Sequence, residues 1–293
     1  MKKLKHKPML KWIIGVLASS ALFLFSFWLA SNAIAKATNT VSPTIEGGNK
    51  GLVKGERGMA VRIIDGDTFV LASGLRVNLA GVQIPKQAWP DKGYKAWPLS
   101  GAAKNALSDL IKGKQVTLYY QGDRRDRYGR ANAQVFIGDE NELWVQRALA
   151  ARGYARIYHW AGQTYELGQL YAAERRAREA KLGIWNGAKT GGYYDVRSPD
   201  PNLLVQHVDS LQIVEGVIIS CADIRGKIYL NFGANYKTDF TIAIAKKDRS
   251  AFEKASLDLL NLVGAHVRVR GWIELQNGPI IWLRVPARME ILN

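Results

Sequence analysis

Apolar and β-branched residues run from Met59 to Ile64 and again from Thr68 to Leu71, with Asp65-Gly66-Asp67 between them. That pattern predicts two strands joined by a tight turn. Leu75–Val82, after Ser73-Gly74, predicts a third strand. Ala102, Ala103, Ala106, Leu107, Leu110 and Ile111 then recur at i, i+3, i+4 spacing, predicting a helix that Gly113 ends. Gln115–Tyr120 and Ala131–Ile137 predict two more strands flanking a basic turn, and Leu143–Ala151 and Thr164–Lys181 predict helices. Further on, Ile213–Ser220, Lys227–Phe232 and Phe240–Ala245 predict strands, Ser250–Leu262 a helix, and His266–Leu275 with Pro279–Val285 two last strands.

The order β-β-β-α-β-β therefore occurs twice, and it is the order of an OB-type five-stranded barrel. The expected fold class is α+β, mainly β: one OB-type barrel with three helices, followed by a second OB-like β-β-β-α-β-β module. No residue-level repeat relates the two, so the pairing is architectural. Residues 36–58 and 186–211 carry Pro43, Gly187, Gly191, Gly192, Pro199 and Pro201 without periodicity and read as linkers. The chain divides on this reading into 1–35, 36–58, 59–185, 186–211 and 212–293.

The first 35 residues read as an address. Lys2, Lys3, Lys5, Lys7 and Lys11 precede 24 uncharged residues, Trp12 to Ala35, which end in Ala33-Ile34-Ala35. A basic start, an apolar stretch and a small-x-small site make a secretory signal peptide. The same stretch exceeds the ~20 residues that span a bilayer, so an uncleaved anchor with its lysines inside is the alternative. Either places everything after Lys36 outside the cytoplasm: periplasmic, secreted, or anchored to the inner membrane.

Charge sharpens the picture. The chain carries 41 Lys+Arg against 25 Asp+Glu, a formal +16, and the first 35 residues hold five lysines and no acid, so +11 remains without them. A field of that sign favours a polyanion such as nucleic acid, anionic lipid or an acidic envelope polymer. Cys221 is the single cysteine, which excludes an intramolecular disulfide and cysteine-rich zinc sites, and it reads as an inert core thiol. His6, His159, His207 and His266 are too scattered to suggest a metal cluster.

Three motifs occur in order: Ile64-Asp65-Gly66-Asp67-Thr68, Val77-Asn78-Leu79-Ala80-Gly81-Val82-Gln83-Ile84-Pro85, and Asp126-Arg127-Tyr128-Gly129-Arg130. With Ala180-Lys181-Leu182-Gly183-Ile184-Trp185 they make residues 59–185 resemble the staphylococcal nuclease (thermonuclease) family. The second module, with Tyr229-Leu230-Asn231-Phe232 and Arg268-Val269-Arg270-Gly271-Trp272, resembles an extension found behind such domains in some bacterial proteins. The resemblance implies a calcium ion that polarises a phosphodiester, two clamping arginines and a glutamate base. It implies Asp67 as a calcium carboxylate, Asp65 as a carboxylate behind it and Arg130 as a clamp, with Arg127 and Tyr128 touching substrate phosphate.

Half of the implied set is replaced. Asn78 stands where the family pattern has arginine, Gln83 where it has the second calcium carboxylate, and Lys86 where it has glutamate. Calcium takes 6–8 oxygen ligands and its affinity follows their charge, so these exchanges argue for a weak or absent site at Asp67 and Asp65. Loss of a general base removes typically 10²–10⁴ in rate, and loss of the clamp removes more. Arg76, two residues before Asn78 and so on the same strand face, stands about 6–7 Å from the clamp position. Three readings of the site stay open: Lys86 pairs with Asp67 in place of the metal; Lys86, Arg76 and Arg130 form a metal-free phosphate site; or a slow hydrolase uses Asp67 or Asp65 as base.

Arg124, Arg125, Arg127 and Arg130 around Tyr128 suit a phosphate track with a stacking platform. Tyr158, His159 and Trp160 read as core packing, and Arg175, Arg176, Arg178 and Lys181 as the wet face of a helix. The expectation is an exported protein that binds nucleic acid through Arg76, Lys86, Arg125, Arg127, Tyr128 and Arg130, with calcium-dependent hydrolysis weak or lost. The alternatives are an active extracytoplasmic nuclease using Asp67 and Arg130, and an envelope protein docking on an anionic polymer or a protein partner.

Overall fold

Five strands of the computed structural model, which describes residues 51–138, 143–160, 163 and 165–292, close on themselves. They are β1 (Val53–Asp65), β2 (Thr68–Leu71), β3 (Arg76–Leu79), β5 (Gln115–Tyr120) and β6 (Ala131–Ile137). β1 pairs antiparallel with β2 and β5, β2 with β3, β5 with β6, and β3 runs parallel to β6 to shut the barrel. Two short pairs flank it: β4 (Val82–Gln83) with β8 (Arg156–Ile157), and β7 (Leu143–Trp144) on β6. The apolar runs of these strands supply its core: Phe69, Val77, Leu79, Val116, Leu118, Ala133 and Val135 are all buried.

Three helices pack on this barrel: α1 (Ser100–Ile111), α2 (Val145–Ala151) and α3 (Leu167–Glu179). α1 buries Ala103, Ala106, Leu107, Leu110 and Ile111, the stripe read from its periodicity. The helix expected at Leu143 starts two residues later, because Leu143 and Trp144 pair with β6 first.

The second set of strands is β9 (Leu211–Val217), β10 (Ser220–Ile224), β11 (Lys227–Asn231), β12 (Thr241–Ile244), β13 (His266–Trp272), β14 (Glu274–Leu275), β15 (Pro279–Trp282) and β16 (Met289–Leu292). β10 continues β9 past Ile218, and β14 continues β13. Counting each pair as one strand reproduces the first barrel, including its parallel closure, here β12 on β15. β16 adds an edge to β13. The helix expected over Ser250–Leu262 is only α6, Arg249–Lys254, followed by a 3-10 turn at Leu259–Asn261; Ser256 with φ +56° breaks it.

Both expected linkers need correction. Residues 1–35, read as signal or anchor, lie outside the described residues, as do 36–50 of the first linker; from Val53 that stretch is strand, not linker. A Cβ on Gly55 would come 2.2 Å from the Tyr120 ring, so a glycine that looked like linker composition lets the strand lie on a tyrosine. The stretch 186–211 forms two helical turns, α4 (Gly187–Thr190) and α5 (Pro201–Leu204), and both ends are anchored. Tyr194 is buried and donates its hydroxyl to the Pro98 carbonyl (2.7 Å), and Leu204 enters the second core. Among the described residues no helix is long and apolar enough to cross a membrane.

Charged pairs join the two barrels. Glu174 on α3 is fully buried and accepts hydrogen bonds from Arg270 of β13 (2.8 and 2.9 Å), Arg178 (3.1 Å) and the Ile157 backbone (2.7 Å). Arg270 also reaches Glu290 (2.6 Å) and lies over the Tyr171 ring. Arg288 donates to the His159 carbonyl (2.8 Å) and stacks on Tyr158. The helix face expected to be wet is thus partly an interface.

Candidate nucleic-acid interface

The β1–β2 turn sets the site. Gly66 is the residue that lets this turn sit on α1, since a Cβ there would meet Ile84 at 2.5 Å and Ala103 at 3.2 Å. The constraint fixes Asp65 and Asp67 on either side of it. Asp65 accepts the backbone N–H of Gly66 (2.8 Å) and of Gln87 (3.3 Å) on one oxygen. Burial, and then the charge of Asp67, raises its pKa above the usual aspartate value. Asp67 is 4% exposed; its Oδ1 accepts the Thr68 hydroxyl (2.9 Å), and its Oδ2 accepts the Lys86 ammonium in an ion pair.

Asn78 sits beside this pair, sharing a hydrogen bond with Thr68 (3.4 Å) and donating to the Leu79 carbonyl. Gln83 lies directly opposite Arg156 in the β4–β8 ladder, and its side-chain oxygen accepts two N–H groups from that buried guanidinium, one at 2.9 Å.

A cleft of about 730 Å³ opens here, and Asp65, Arg76, Lys86, Tyr128 and Arg130 line it together. Trp89, Tyr94, Lys95 and Trp97 line it as well, and the motif reading passed over all four. Their segment had a signal of its own in the sequence, Pro85 and Pro98 bracketing Trp89, Tyr94 and Trp97 with Lys86, Lys92 and Lys95. Arg76 and Lys95 are exposed and have no carboxylate partner among the described residues. Arg130 is held by Asp126, which accepts its Nε (2.7 Å) and two backbone N–H groups of the turn. Against the cost of burial, these bonds pull the Asp126 pKa down. Arg127 and Arg130 lie over the Tyr128 ring, 4.8 and 5.4 Å from its centroid.

Two of the six residues expected to contact nucleic acid stand outside the cleft lining. Arg125 turns to Glu56 and the Tyr120 hydroxyl; despite burial, hydrogen bonds from Tyr120 and Arg125 bring the Glu56 pKa down to about 2. Arg127 contributes through the Tyr128 ring. Tyr158 and Trp160 sit under Arg288, and His159 is buried, where desolvation first and the nearby Arg288 lower its pKa to about 4.

The donor set does not fit calcium. Asp67 has one oxygen on an ammonium and the other on a hydroxyl, Gln83 spends its oxygen on Arg156, and Asp65 is turned to backbone N–H groups. A cation site needs several oxygens free to converge; here the converging group is itself a cation.

Residues 76–187 match the staphylococcal nuclease homologue family. The thermonuclease of Staphylococcus intermedius is 31% identical over 136 residues, covering 45% of this chain and 78% of that protein. The chain belongs to the staphylococcal nuclease family. The endonuclease YncB of Bacillus subtilis is 31% identical over 130 residues, 43% of this chain and 59% of that protein, and an uncharacterized endonuclease of Escherichia coli is 29% identical over 134 residues, 45% of this chain and 78% of that protein. The family profile ends at residue 187, before the second barrel. Membership makes residues 59–185 a nuclease-type fold. Among the described residues, no group of three or more metal-ligating side chains converges.

Proposed function

We propose that this member of the nuclease family binds nucleic acid through the cationic cleft and hydrolyses it slowly or not at all with calcium. The observation that carries the reading is the Lys86–Asp67 ion pair: a tethered ammonium stands where a metal ion would meet the carboxylate. Arg76, Lys95 and Arg130 supply further positive charge around the same cleft, suited to phosphates. Calcium binding is weak or absent on this reading. The basic N-terminus followed by 24 uncharged residues supports export, by a cleaved signal or a retained anchor.

Salt dependence tests the binding. With chelator present, affinity of the full chain for a labelled single-stranded oligonucleotide should fall with a log–log slope near −3, since about four phosphate contacts each contribute roughly −0.7. A slope near zero would point instead to docking on a protein or an uncharged polymer.

A second reading rests on Asp65. Its raised pKa makes it a candidate proton acceptor beside the cations, so slow metal-independent cleavage would rise with pH through that pKa and vanish in Asp65→Asn.

A further inference from the structure

Between Lys86 and Trp97 the chain makes a small hairpin over the cleft. Trp89 and Tyr94 exchange both backbone hydrogen bonds, 2.9 and 3.1 Å, around a 3-10 turn at Pro90–Lys92. Gly93 ends that turn with φ +71°, a left-handed conformation that favours glycine. Trp97 N–H donates to the Lys86 carbonyl (2.9 Å) and closes the base of the loop. The Trp97 ring also packs 5.8 Å from the Tyr193 ring.

Residues paired in this way carry their side chains on the same face, about 5 Å apart. Yet Trp89 is 57% exposed and Tyr94 67% exposed, and neither ring stacks on another ring or receives a cation among the described residues. Both line the cleft with Lys86 and Lys95, the cations that bracket them in sequence. Two neighbouring unstacked rings, held by backbone hydrogen bonds and flanked by positive charge, lack only a flat partner to cover them. A protein core residue does not explain them, because nothing in the fold buries them.

We propose that the Trp89–Tyr94 hairpin is a nucleobase platform, taking the faces of unpaired bases while Arg76, Lys86, Lys95 and Arg130 hold the phosphates. The ligand class follows from the geometry. A ring face is free for stacking only when the base has left its own stack, so the occupant is an unpaired stretch of DNA or RNA. The loop's own hydrogen bonds already fix the rings, so little ordering remains to be done on binding. The inference rests on the reading of this cleft as a nucleic-acid site.

The test separates base from backbone. A fluorescein-labelled dT12 strand, an abasic strand of the same length and phosphate count, and a blunt duplex are titrated with the full chain in chelator, reading anisotropy. Stacking contributes roughly 5- to 150-fold in affinity for each base engaged. The expected result is tighter binding of dT12 than of the abasic strand by tenfold or more. Trp89→Ala/Tyr94→Ala should erase that difference without changing abasic affinity, and Trp89→Phe/Tyr94→Phe should retain most of it. Equal affinity of the wild-type chain for dT12 and the abasic strand, with both bound, overturns the platform and leaves the phosphate site standing. Equal loss of both strands in the alanine variant also overturns it, since the loop would then act through charge or folding. Binding of no strand at all removes the nucleic-acid reading and the platform with it.

Discussion

Replacing Lys86 with methionine removes the ammonium from a carboxylate that is 4% exposed and keeps one hydrogen bond, from Thr68. Breaking a fully buried ion pair from one side costs about 3–5 kcal/mol, while an exposed pair is worth about 1 kcal/mol or less. The Lys86 side chain is 39% exposed against 5% for Asp67, so solvent screens half of the pair. An intermediate loss of about 2 kcal/mol follows, or about 4–8 °C in Tm for a unit of this size. Calcium should respond in the opposite sense. In the wild-type chain, a dication about 4 Å from the ammonium meets a repulsion of about 8 kcal/mol at an effective dielectric of 20, so 10 mM calcium should leave the Tm unmoved. In Lys86→Met the carboxylate is released, and a weak site with Kd of ~1 mM would return about 1.4 kcal/mol at 10 mM, or about 3–6 °C. Thermal melts of the full chain in chelator and in calcium read both effects. A wild-type chain that gains as much from calcium as the variant, or a variant as stable as wild type, would refute the built-in cation.

Three further outcomes follow from the same contacts. Restoring the family residues together, as Asn78→Arg, Gln83→Asp and Lys86→Glu, should introduce calcium-dependent cleavage of single-stranded DNA, at least 10²-fold above the wild-type rate. Arg270→Ala strands the buried Glu174 with Arg178 as its one remaining cation among the described residues and should cost about 3–5 kcal/mol in urea unfolding, partly recovered by the apolar pair Arg270→Met/Glu174→Leu. His159, whose folded pKa is lowered from 6.5 to about 4, binds its proton more readily when unfolded. Stability should therefore fall by roughly 3 kcal/mol as pH drops from about 6.5 to about 4, and His159→Phe should flatten that part of the pH profile.

Strands and the first helix were legible because their inward residues alternate or recur without interruption, as in Thr68–Leu71 and Ala102–Ile111. The Asp65-Gly66-Asp67 turn was legible for the same reason that it folds: short polar residues around a glycine between two apolar runs. The start of β1 was not, because Gly55 and Gly58 hide the alternation and the need for Gly55 lies in Tyr120, 65 residues away. The Glu174–Arg270 pair spans 96 residues, and nothing local distinguishes Arg270 from an outward strand arginine. Of the site, the replaced residues Asn78, Gln83 and Lys86 were visible through the motifs they interrupt. What each does instead was not: Gln83 turns to Arg156 only because β4 and β8 pair in that register. Trp89 and Tyr94 were passed over because proline and glycine mark a loop without saying which face of it is wet.

Cleavage decides between a built-in cation and a working metal site. The full chain and Asp67→Asn are incubated with labelled single-stranded DNA and RNA, in calcium and in chelator, with bound and intact fractions read from the same samples. The built-in cation predicts strands bound but intact, with calcium changing neither fraction. Rapid calcium-dependent cutting that Asp67→Asn abolishes would contradict it and make this chain a working nuclease.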